Sequence, residues 1–319
     1  MVTEREIKNL KKLIRKASSG HAFILQGGDC SELFTDCNQH QITNKFKIIL
    51  QMSVILIHSL KKPVIRIGRI AGQYAKPRSS LEETIDGVTL PAYRGDTING
   101  YEFTKEARMP DPARMLFAYQ YAALTLNYLR ALASDGFSDL HQSTNWQLDF
   151  MKKSEVPASY QTVLNSVTHA LQFFESALDV KNEGVRSVQL FTSHEALHLP
   201  YEAALTREVE PNHFYNLGTH FPWVGMRTLS LDGAHVEYLR GIENPIGIKV
   251  GPSIDFDELV TVIHRINPKN ETGKIVLIHR FGKALINQKL PLLLEYIARA
   301  NLHCAVICDP MHGNTQTTT

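Results

Sequence analysis

The sequence has almost no net charge, because its 319 residues include 34 lysines and arginines against 32 aspartates and glutamates. Proteins that bind nucleic acid or anionic lipid over a whole face carry a strong positive excess, so neither partner is expected here. No apolar run reaches the length of a membrane span. Residues 1–20 are charged and helical in period, without the apolar core of a signal peptide. We therefore expect a cytoplasmic protein in which any basic site is local.

Cysteine is scarce as well: there are four, and none belongs to a Cys-X-X-Cys pair. This spacing argues against a zinc ribbon or a thioredoxin-type redox site. Disulfides are rare in cytoplasmic proteins, so most of these thiols are expected to be buried and inert. Cys30 differs because it closes the first predicted strand in a Gly27-Gly28-Asp29-Cys30 turn. That turn lacks the lysine and hydroxyl residue of a Walker loop, so it is not predicted to bind nucleotide phosphates.

Short apolar, β-branched segments recur along the chain and alternate with segments of helical period. The predicted strands are Ala22–Gln26, Val64–Ile70, Val188–Phe191, His220–Gly225, Ile246–Val250, Ile275–His279 and Ala305–Cys308. The helical segments include Gln161–Ala177, Phe256–Ile266 and Leu290–Arg299. Such alternation indicates an α/β protein with a parallel sheet. We expect a single domain over residues 1–319, with an N-terminal helix over 1–20 and a helical insertion at about 95–185.

Polar residues follow nearly every predicted strand, and this distribution separates the two topologies that fit the alternation. An open doubly wound sheet gathers only the strand ends near its switch point, whereas a barrel gathers all carboxyl ends at one mouth. The barrel is therefore favoured. Because seven strands are visible, the prediction is a (β/α)8 TIM barrel, truncated after the seventh strand, with extra helices between strands 2 and 3.

Basic residues stand at four of these strand ends. The segment Arg69–Ser80 contributes Arg69, Lys76 and Arg78 beside two serines, and the other strand ends contribute Arg227, Lys249 and Arg280. Cations and hydroxyl donors near a turn suit phosphate or carboxylate groups. Gathered at one mouth, these cations would repel each other without an anionic ligand. We infer a polyanionic substrate with more than one phosphate or carboxylate.

Two further patterns suggest metal ligands. Cys30 follows the first strand and His312 the last, and a thiolate and an imidazole could share a divalent cation in a barrel. From spacing alone, a cysteine and a histidine so far apart are more often unrelated. The segment His194-Glu195-Ala196-Leu197-His198 matches the His-Glu-X-X-His pattern of zinc proteases. It begins at a strand end instead of within a helix, so we do not expect zinc there.

Several longer blocks are distinctive. They read FILQGGDCSELF, RIGRIAGQYAKPRSS, LPAYRGDTING, SHEALHLPYE, WVGMRTLSLDGAHVEY, GIKVGPS and CDPMHGNT. In this order they resemble the blocks of the class II 3-deoxy-D-arabino-heptulosonate-7-phosphate (DAHP) synthases, from about Val2 to Thr315. That resemblance implies a (β/α)8 barrel that condenses phosphoenolpyruvate with erythrose 4-phosphate, the first step of the shikimate pathway to chorismate and the aromatic amino acids. It also implies a divalent metal, Mn²⁺ or Co²⁺, a homo-oligomer, and chorismate mutase as a partner.

The resemblance further implies roles for individual residues. Cys30 and His312 match metal ligands of the family. The residues that match phosphoenolpyruvate contacts are Arg69, Lys76, Arg227, Lys249 and Arg280, with Trp223 against the same site. Arg78 and Ser79 match the grip on the aldose phosphate, and Glu195 lies in the block that faces the aldose. Lys249, Arg227 and Arg280 are the expected catalytic residues.

The sequence also departs from the family pattern. Met226 stands where a glutamate usually precedes the arginine, and the eighth strand with its glutamate and aspartate metal ligands is missing. The leading hypothesis is the synthase. One alternative is a truncated, catalytically impaired homologue that serves as a non-catalytic or binding protein. Another is a related synthase with a different phosphorylated aldose as acceptor.

Overall fold

The computed structural model describes residues 1–135 and 188–314, together with Thr162, Asn165, Ser166 and His169. The α-helices in these ranges are α1 (Glu4–Ser18), α2 (Gln39–Leu60), α3 (Lys105–Arg108), α4 (Arg114–Ser134), α5 (Leu199–Ala204), α6 (Ala234–Arg240), α7 (Phe256–Ile266) and α8 (Gly282–Arg299), and a 3-10 helix covers Phe34–Asp36. The strands are β1 (Phe23–Gly28), β2 (Val64–Arg69), β3 (Glu82–Ile85), β4 (Val88–Pro91), β5 (Leu190–Glu195), β6 (Thr206–Glu210), β7 (His213–Asn216), β8 (Phe221–Val224), β9 (Ile246–Val250), β10 (Ile275–His279) and β11 (Cys304–Cys308).

One parallel sheet of seven strands organises the described residues, in the order β1-β2-β5-β8-β9-β10-β11. Sheet strands that follow one another along the chain are therefore also neighbours in the sheet. This is the strand order of a barrel, whereas a doubly wound sheet reverses its order at a switch point. The expected α/β barrel is confirmed. Within residues 1–135 and 188–314, β1 pairs only with β2 and β11 only with β10. No eighth strand lies between them in these ranges.

The interior of the barrel is one apolar cluster. The inward-facing members come from most of the sheet strands and are Ile24, Ile65, Ile67, Phe191, Phe221, Trp223, Val276, Ile278 and Ala305. On β9 the inward position is Gly247, where an added Cβ would lie 2.9 Å from the Cβ of Trp223 and 3.0 Å from Phe221. Only glycine leaves room for these two rings. Because strand residues alternate between faces, the residue two positions further along each strand points to the carboxyl-terminal mouth.

Helix α1 fills the opposite end of this interior. Leu10 and Ile14 are fully buried within the same cluster, and α1 contacts both β1 and β11. Its start is fixed by a capping box, in which Thr3 Oγ1 accepts from the Glu6 N–H and the Glu6 carboxylate accepts from the Thr3 N–H. The N-terminal helix expected over residues 1–20 is thus a plug that joins the two edge strands.

A second core lies outside the sheet, between its β8–β11 side and the helices α6, α7 and α8. Helix α7 is capped by Asp255, whose side chain accepts from the N–H groups of Asp257 and Glu258. It presents Leu259, Val262 and Ile263 to the sheet. Two antiparallel hairpins, β3–β4 and β6–β7, lie apart from the barrel sheet and were not expected from the sequence.

The long connection between β2 and β5 contains helices α3 and α4 in its described part. Helix α4 contacts α2 on the outside of the barrel. The predicted helix at Gln161–Ala177 and much of the expected insertion at about 95–185 lie outside the described residues. In the part of the chain that is described, no helix is long and apolar enough to cross a membrane.

Lys274 makes stability depend on pH. Its ammonium group is buried, donates to the Ile242 carbonyl oxygen, and lies near Lys11, Glu243 and Glu271. Burial, followed by repulsion from Lys11, lowers the pKa of Lys274 to about 7. In the unfolded chain a lysine titrates at about 10.4. Between these values the unfolded state binds more protons, so the free energy of unfolding rises with pH.

We therefore expect the stability of the wild-type chain to increase between about pH 7 and pH 10 through this group. The Lys274→Met variant should lose this contribution, so that its free energy of unfolding changes less over the same interval. Urea denaturation of both proteins at several pH values measures the difference. Parallel curves for the two proteins would show that Lys274 is not the group responsible.

Candidate active site

Several of the site residues predicted from the sequence lie at the same mouth of the barrel, because residues along each strand alternate between the two faces of the sheet. Arg69 comes two positions after the buried Ile67, Glu195 two after Ser193, and Lys249 two after Gly247. On the last two strands the same step leads from Ile278 to Arg280 and from Ile307 to Asp309. The mouth is thus an inward layer of charged side chains directly above the apolar interior.

The indole of Trp223 is the floor of this layer. It is fully buried, the guanidinium carbon of Arg69 lies 4.8 Å from its ring centroid, and the Lys249 Nζ lies 5.2 Å from it. Cations at such distances are attracted by the negative face of the ring. Because both cations meet one ring, strands β2 and β9 contribute to a single pocket although β5 and β8 lie between them.

The buried charges of the pocket perturb each other. Burial lowers the pKa of Lys249, with repulsion from Arg69 next and Arg280 also contributing. Burial likewise lowers the pKa of Arg69, against attraction by Cys30, Glu195 and Asp309. Such perturbed cations around a cleft are typical of a site that binds anions. The sequence prediction that several separate basic residues meet is consistent with this geometry.

Glu195 is the carboxyl group inside this ring of cations. It is only 6% exposed, and its Oε1 atom makes no hydrogen bond. Burial raises the pKa of Glu195, whereas Lys249, Arg69 and the indole N–H of Trp223 act in the opposite direction. A Cβ at Gly225 would collide with the Glu195 carboxyl, so glycine at this position is what admits the side chain.

A buried network fixes the end of β5 to the loop after β2. The side-chain oxygen of Gln73 accepts from the Glu195 N–H at 2.8 Å, and its Nε2 donates to the Ala75 carbonyl. The carboxylate of Glu32 accepts from the N–H groups of Ala71, Gly72 and Gln73 at 3.2, 3.0 and 2.9 Å. Consecutive N–H groups that converge in this way form an anion nest. Sequence reasoning missed Glu32 and Gln73, since a single polar residue in a loop carries no signal of its own.

The basic loop Lys76–Ser80 approaches the pocket from one side. Its Ser79 hydroxyl accepts from the Arg227 guanidinium at 2.6 Å, which links the loop to the end of β8. Arg78 is paired with Glu83, and the other carboxylate oxygen of Glu83 accepts from Arg108 at 2.8 Å. Lys76 lies in the same loop, half-buried, and its N–H donates to the Arg94 carbonyl at 2.9 Å.

The expected metal ligands lie at the two edges of the sheet. Cys30 follows β1 as an exposed free thiol, and its carbonyl accepts from Arg69 at 3.3 Å. His312 follows β11, where its Nδ1 lies 2.6 Å from Asp309 Oδ2. Burial lowers the pKa of His312, and Arg280 and Lys249 act in the same direction, so it belongs to the same mouth. Although burial alone would raise it, hydrogen bonds from His312 lower the pKa of Asp309.

These donors fit a divalent cation in part. A free thiol and an imidazole whose Nδ1 is held by a carboxylate, leaving Nε2 available, are of the right chemistry. Residues 1–135 and 188–314 contain no group of three or more candidate ligands. The His194-Glu195-X-X-His198 pattern forms no such group either, because His194 Nε2 is bonded to Glu202 at 2.9 Å.

Comparisons with known proteins agree with the blocks and the barrel. A sequence model described as the class-II DAHP synthetase family matches residues 1–319. The chain belongs to this family. It is 43% identical to a phospho-2-dehydro-3-deoxyheptonate aldolase of Neurospora crassa, over 99% of the chain and 69% of that protein. A protein of the same name from Streptomyces coelicolor is 43% identical, over 99% and 70%. The AroG aldolase of that name from Mycolicibacterium smegmatis is 39% identical, over 97% and 67%.

The resemblance stated from the sequence is thereby confirmed, and with it the expectation of an aldol-type synthase. The family of DAHP synthases is in general metal-dependent. Nothing in these comparisons favours the alternative of a non-catalytic homologue.

Proposed function

We propose that the mouth of the barrel, around Trp223, is the active site at which the chain works as a DAHP synthase. The reaction joins phosphoenolpyruvate to erythrose 4-phosphate and releases inorganic phosphate. The observation that carries this assignment is the convergence of Arg69 and Lys249 on the Trp223 ring, with Glu195 among them. Phosphoenolpyruvate offers a carboxylate and a phosphate to these cations, and the aldose brings a second phosphate.

In this proposal the cations do most of the work. Arg69, Lys76, Arg227, Lys249 and Arg280 hold phosphoenolpyruvate, while Trp223 supports it from below. Two anionic substrates repel each other in solution, and fixed cations cancel this repulsion when they bring the reacting carbons together. Lys249, Arg227 and Arg280 also stabilise the charge that develops on phosphate as it departs. Lys249 is buried and Arg227 is held by the Ser79 hydroxyl, so these cations need little reorganisation during the reaction.

Arg78 and Ser79 are proposed to bind the phosphate of erythrose 4-phosphate. Ser79 is already bonded to Arg227, so the aldose site adjoins the phosphoenolpyruvate site. Glu195 faces the aldose. Mn²⁺ or Co²⁺, with Cys30 and His312 among its ligands, would supply Lewis-acid polarisation of the aldehyde. The acceptor could be a phosphorylated aldose of another length, because Arg78 and Ser79 recognise the phosphate and not the chain.

The remaining expectations rest on the family. We propose that residues 1–319 form a single TIM-barrel domain, including the insertion at about 95–185, because the family match spans the whole range. A cytoplasmic homo-oligomer that associates with a chorismate mutase is proposed on the same ground. Light scattering of the purified chain, alone and with that partner, measures both assemblies.

The proposed function is tested by phosphate release. The purified chain is incubated with phosphoenolpyruvate, erythrose 4-phosphate and Mn²⁺, and both phosphate and the seven-carbon product are measured. Product formation that needs both substrates supports the proposal. Phosphate release without the aldose, or no turnover at saturating metal, contradicts it and favours the non-catalytic alternative.

Glu83 offers a test of the aldose-phosphate site from outside the substrate contacts. Arg108 is buried and fixed by bonds to the Glu102, Pro91 and Tyr101 carbonyls, so it anchors Glu83, which in turn holds Arg78. Glu83→Gln should release Arg78. We expect the KM for erythrose 4-phosphate to rise by about tenfold, the effect of one weakened charge-assisted contact.

The KM for phosphoenolpyruvate should stay unchanged in the same variant, because Arg78 is assigned to the other substrate. Steady-state kinetics with each substrate varied in turn measures both constants. Glu82→Gln is the matched control, since Glu82 is the exposed neighbour on the same strand. An equal rise in both KM values would show that the loop does not separate the two substrates.

A further inference from the structure

Glu195 has features that binding alone does not require. Its carboxyl group is buried, yet Oε1 meets no donor at hydrogen-bond geometry, and the Trp223 indole N–H, which helps to lower its pKa, is likewise left without a partner. The other acidic group at the mouth, Asp309, is engaged by the N–H groups of Met311 and His312 and by the His312 imidazole. Buried polar atoms nearly always find partners, so an unpaired one inside a cleft points to a ligand.

The position of Glu195 is tightly fixed. Gln73 holds its backbone N–H, and its carboxyl group packs against the bare backbone of Gly225. The next residue, Met226, places its thioether against Gly251, where an added Cβ would collide with it. A thioether cannot exchange a proton at neutral pH. Glu195 is therefore the carboxyl group that can exchange a proton among the described residues of β5 and β8 that line the pocket.

We propose that Glu195 is the proton donor and acceptor of the condensation, a catalytic role that rests on the proposed function. When the enol carbon of phosphoenolpyruvate attacks the aldehyde carbon, a carbon–carbon bond forms and the aldehyde π bond breaks. The oxygen takes the proton of the Glu195 carboxyl and becomes a hydroxyl. This leaves an oxocarbenium carbon bearing the phosphate, next to the carboxylate of Glu195.

The second step returns the proton. Water attacks the oxocarbenium carbon and gives one proton to the Glu195 carboxylate, which yields a hemiketal phosphate. The hemiketal then collapses: the carbon–oxygen bond to phosphate breaks and phosphate leaves with the electron pair. The hydroxyl proton passes to the departing phosphate as the hydroxyl oxygen becomes the product ketone. Glu195 ends the cycle protonated, as it began. The two oxygen atoms that exchange protons are joined through only three carbon atoms, so one fixed carboxyl group can reach both.

The charges around Glu195 suit this cycle. Lys249, Arg69 and Arg227 face it from β9, β2 and the end of β8, and His194 precedes it on β5. In the empty pocket these cations oppose the effect of burial, which raises the pKa of Glu195. The phosphates and carboxylate of the substrates cancel the cations when they bind. Binding therefore favours the neutral carboxylic acid that the first step needs.

The test compares Glu195→Gln and Glu195→Asp with Glu258→Gln, which removes an exposed carboxylate on α7. Glutamine keeps the shape and the hydrogen-bonding capacity but cannot transfer a proton. We expect kcat of Glu195→Gln to fall by about 10²–10⁴-fold while both KM values change little. Aspartate should retain part of the rate, and Glu258→Gln all of it. Calorimetric binding of phosphoenolpyruvate to each variant verifies that the pocket is intact.

The pH profile separates proton transfer from simple binding. In the wild-type chain kcat should decline with rising pH as the Glu195 carboxyl loses its proton in the ternary complex. This decline should vanish in Glu195→Gln and remain in Glu195→Asp. If Glu195→Gln raises the KM for the aldose without lowering kcat, or keeps the wild-type pH profile, the inference is wrong. Turnover by the wild type would leave the proposed function standing in that case, and its absence would overturn the function itself.

Discussion

The Lys249→Met variant should lose about 10²–10³-fold in kcat/KM for phosphoenolpyruvate, the loss that follows removal of one buried charge-stabilising group. Lys249 is 8% exposed, lies 5.2 Å from the Trp223 centroid, and is one of the proposed contacts to phosphoenolpyruvate. Methionine has a similar length and fills the same space without a charge. The effect should therefore reflect lost electrostatics and not a cavity.

The same variant should be at least as stable as the wild type. Burial and repulsion from Arg69 and Arg280 all disfavour the ammonium form of Lys249, which is why its pKa is lowered. Removing this charge relieves strain among like charges in the free protein, so the free energy of unfolding should not fall. Such a separation of activity from stability is typical of residues placed for function.

Steady-state kinetics and thermal unfolding of one preparation measure both quantities. Lys289→Met is the matched control, because Lys289 lies 6.0 Å from the Phe256 ring on the outer face of the barrel. Lys289→Met should change neither the activity nor the thermal stability. If Lys249→Met destabilises the chain in proportion to its lost activity, the lysine supports the fold and is not the electrostatic centre of the pocket.

The sequence predicts the barrel well because its strands are buried on both faces. The bounds Ile246–Val250, Ile275–His279 and Phe256–Ile266 agree with the structure, since apolar runs and helical period both reflect burial. The third strand was placed too early: it begins at Leu190 and includes His194 and Glu195, which were expected to follow it. Polar side chains hid its continuation: Glu195 faces the mouth, whereas the adjacent His194 lies on the opposite face of the strand and bonds to Glu202.

The two hairpins were missed for the opposite reason. The strands β3 and β6 are short and exposed, and their glutamates and threonines have no apolar alternation to reveal them. The start of α8 was also missed, because Pro291 lies inside it and the period was recognised only from Leu290 onwards. The sequence pattern is a weak signal of secondary structure wherever a helix or strand lies at the surface or contains a residue that disfavours it.

Side-chain chemistry at strand ends indicated the pocket, but not how it is held together. Arg69, Lys249 and Arg280 could be grouped because a barrel brings their strand ends together. The anion nest that binds Glu32 depends on the positive φ angles of Ala71 and Gly72, 65° and 147°, which no residue pattern announces. Likewise the link from Gln73 to Glu195 joins residues 122 positions apart. Such long-range contacts follow only from coordinates.

Substitution of Cys30 should remove the spectroscopic signature of a thiolate-bound metal. Co²⁺ bound by a thiolate gives a charge-transfer absorption that oxygen and nitrogen ligands do not, so titration of the metal-free chain with Co²⁺ reports on the ligand directly. We expect this absorption in the wild type and its loss in Cys30→Ser. His312→Asn should keep a weaker form of it, because the thiolate remains while the imidazole is lost.

Cys308→Ser is the control, since Cys308 is also an exposed free thiol near the end of β11. It should titrate as the wild type does. Activity with Mn²⁺ should fall below detection in Cys30→Ser if the metal is essential. The Co²⁺ absorption is a separate measurement, because it reports on metal ligation whether or not the variant turns over substrate. Retention of the absorption in Cys30→Ser, or its loss in Cys308→Ser, would show that Cys30 is not the thiolate ligand. The expected result ties the cation to the mouth that holds Arg69, whose pKa already responds to both Cys30 and Asp309.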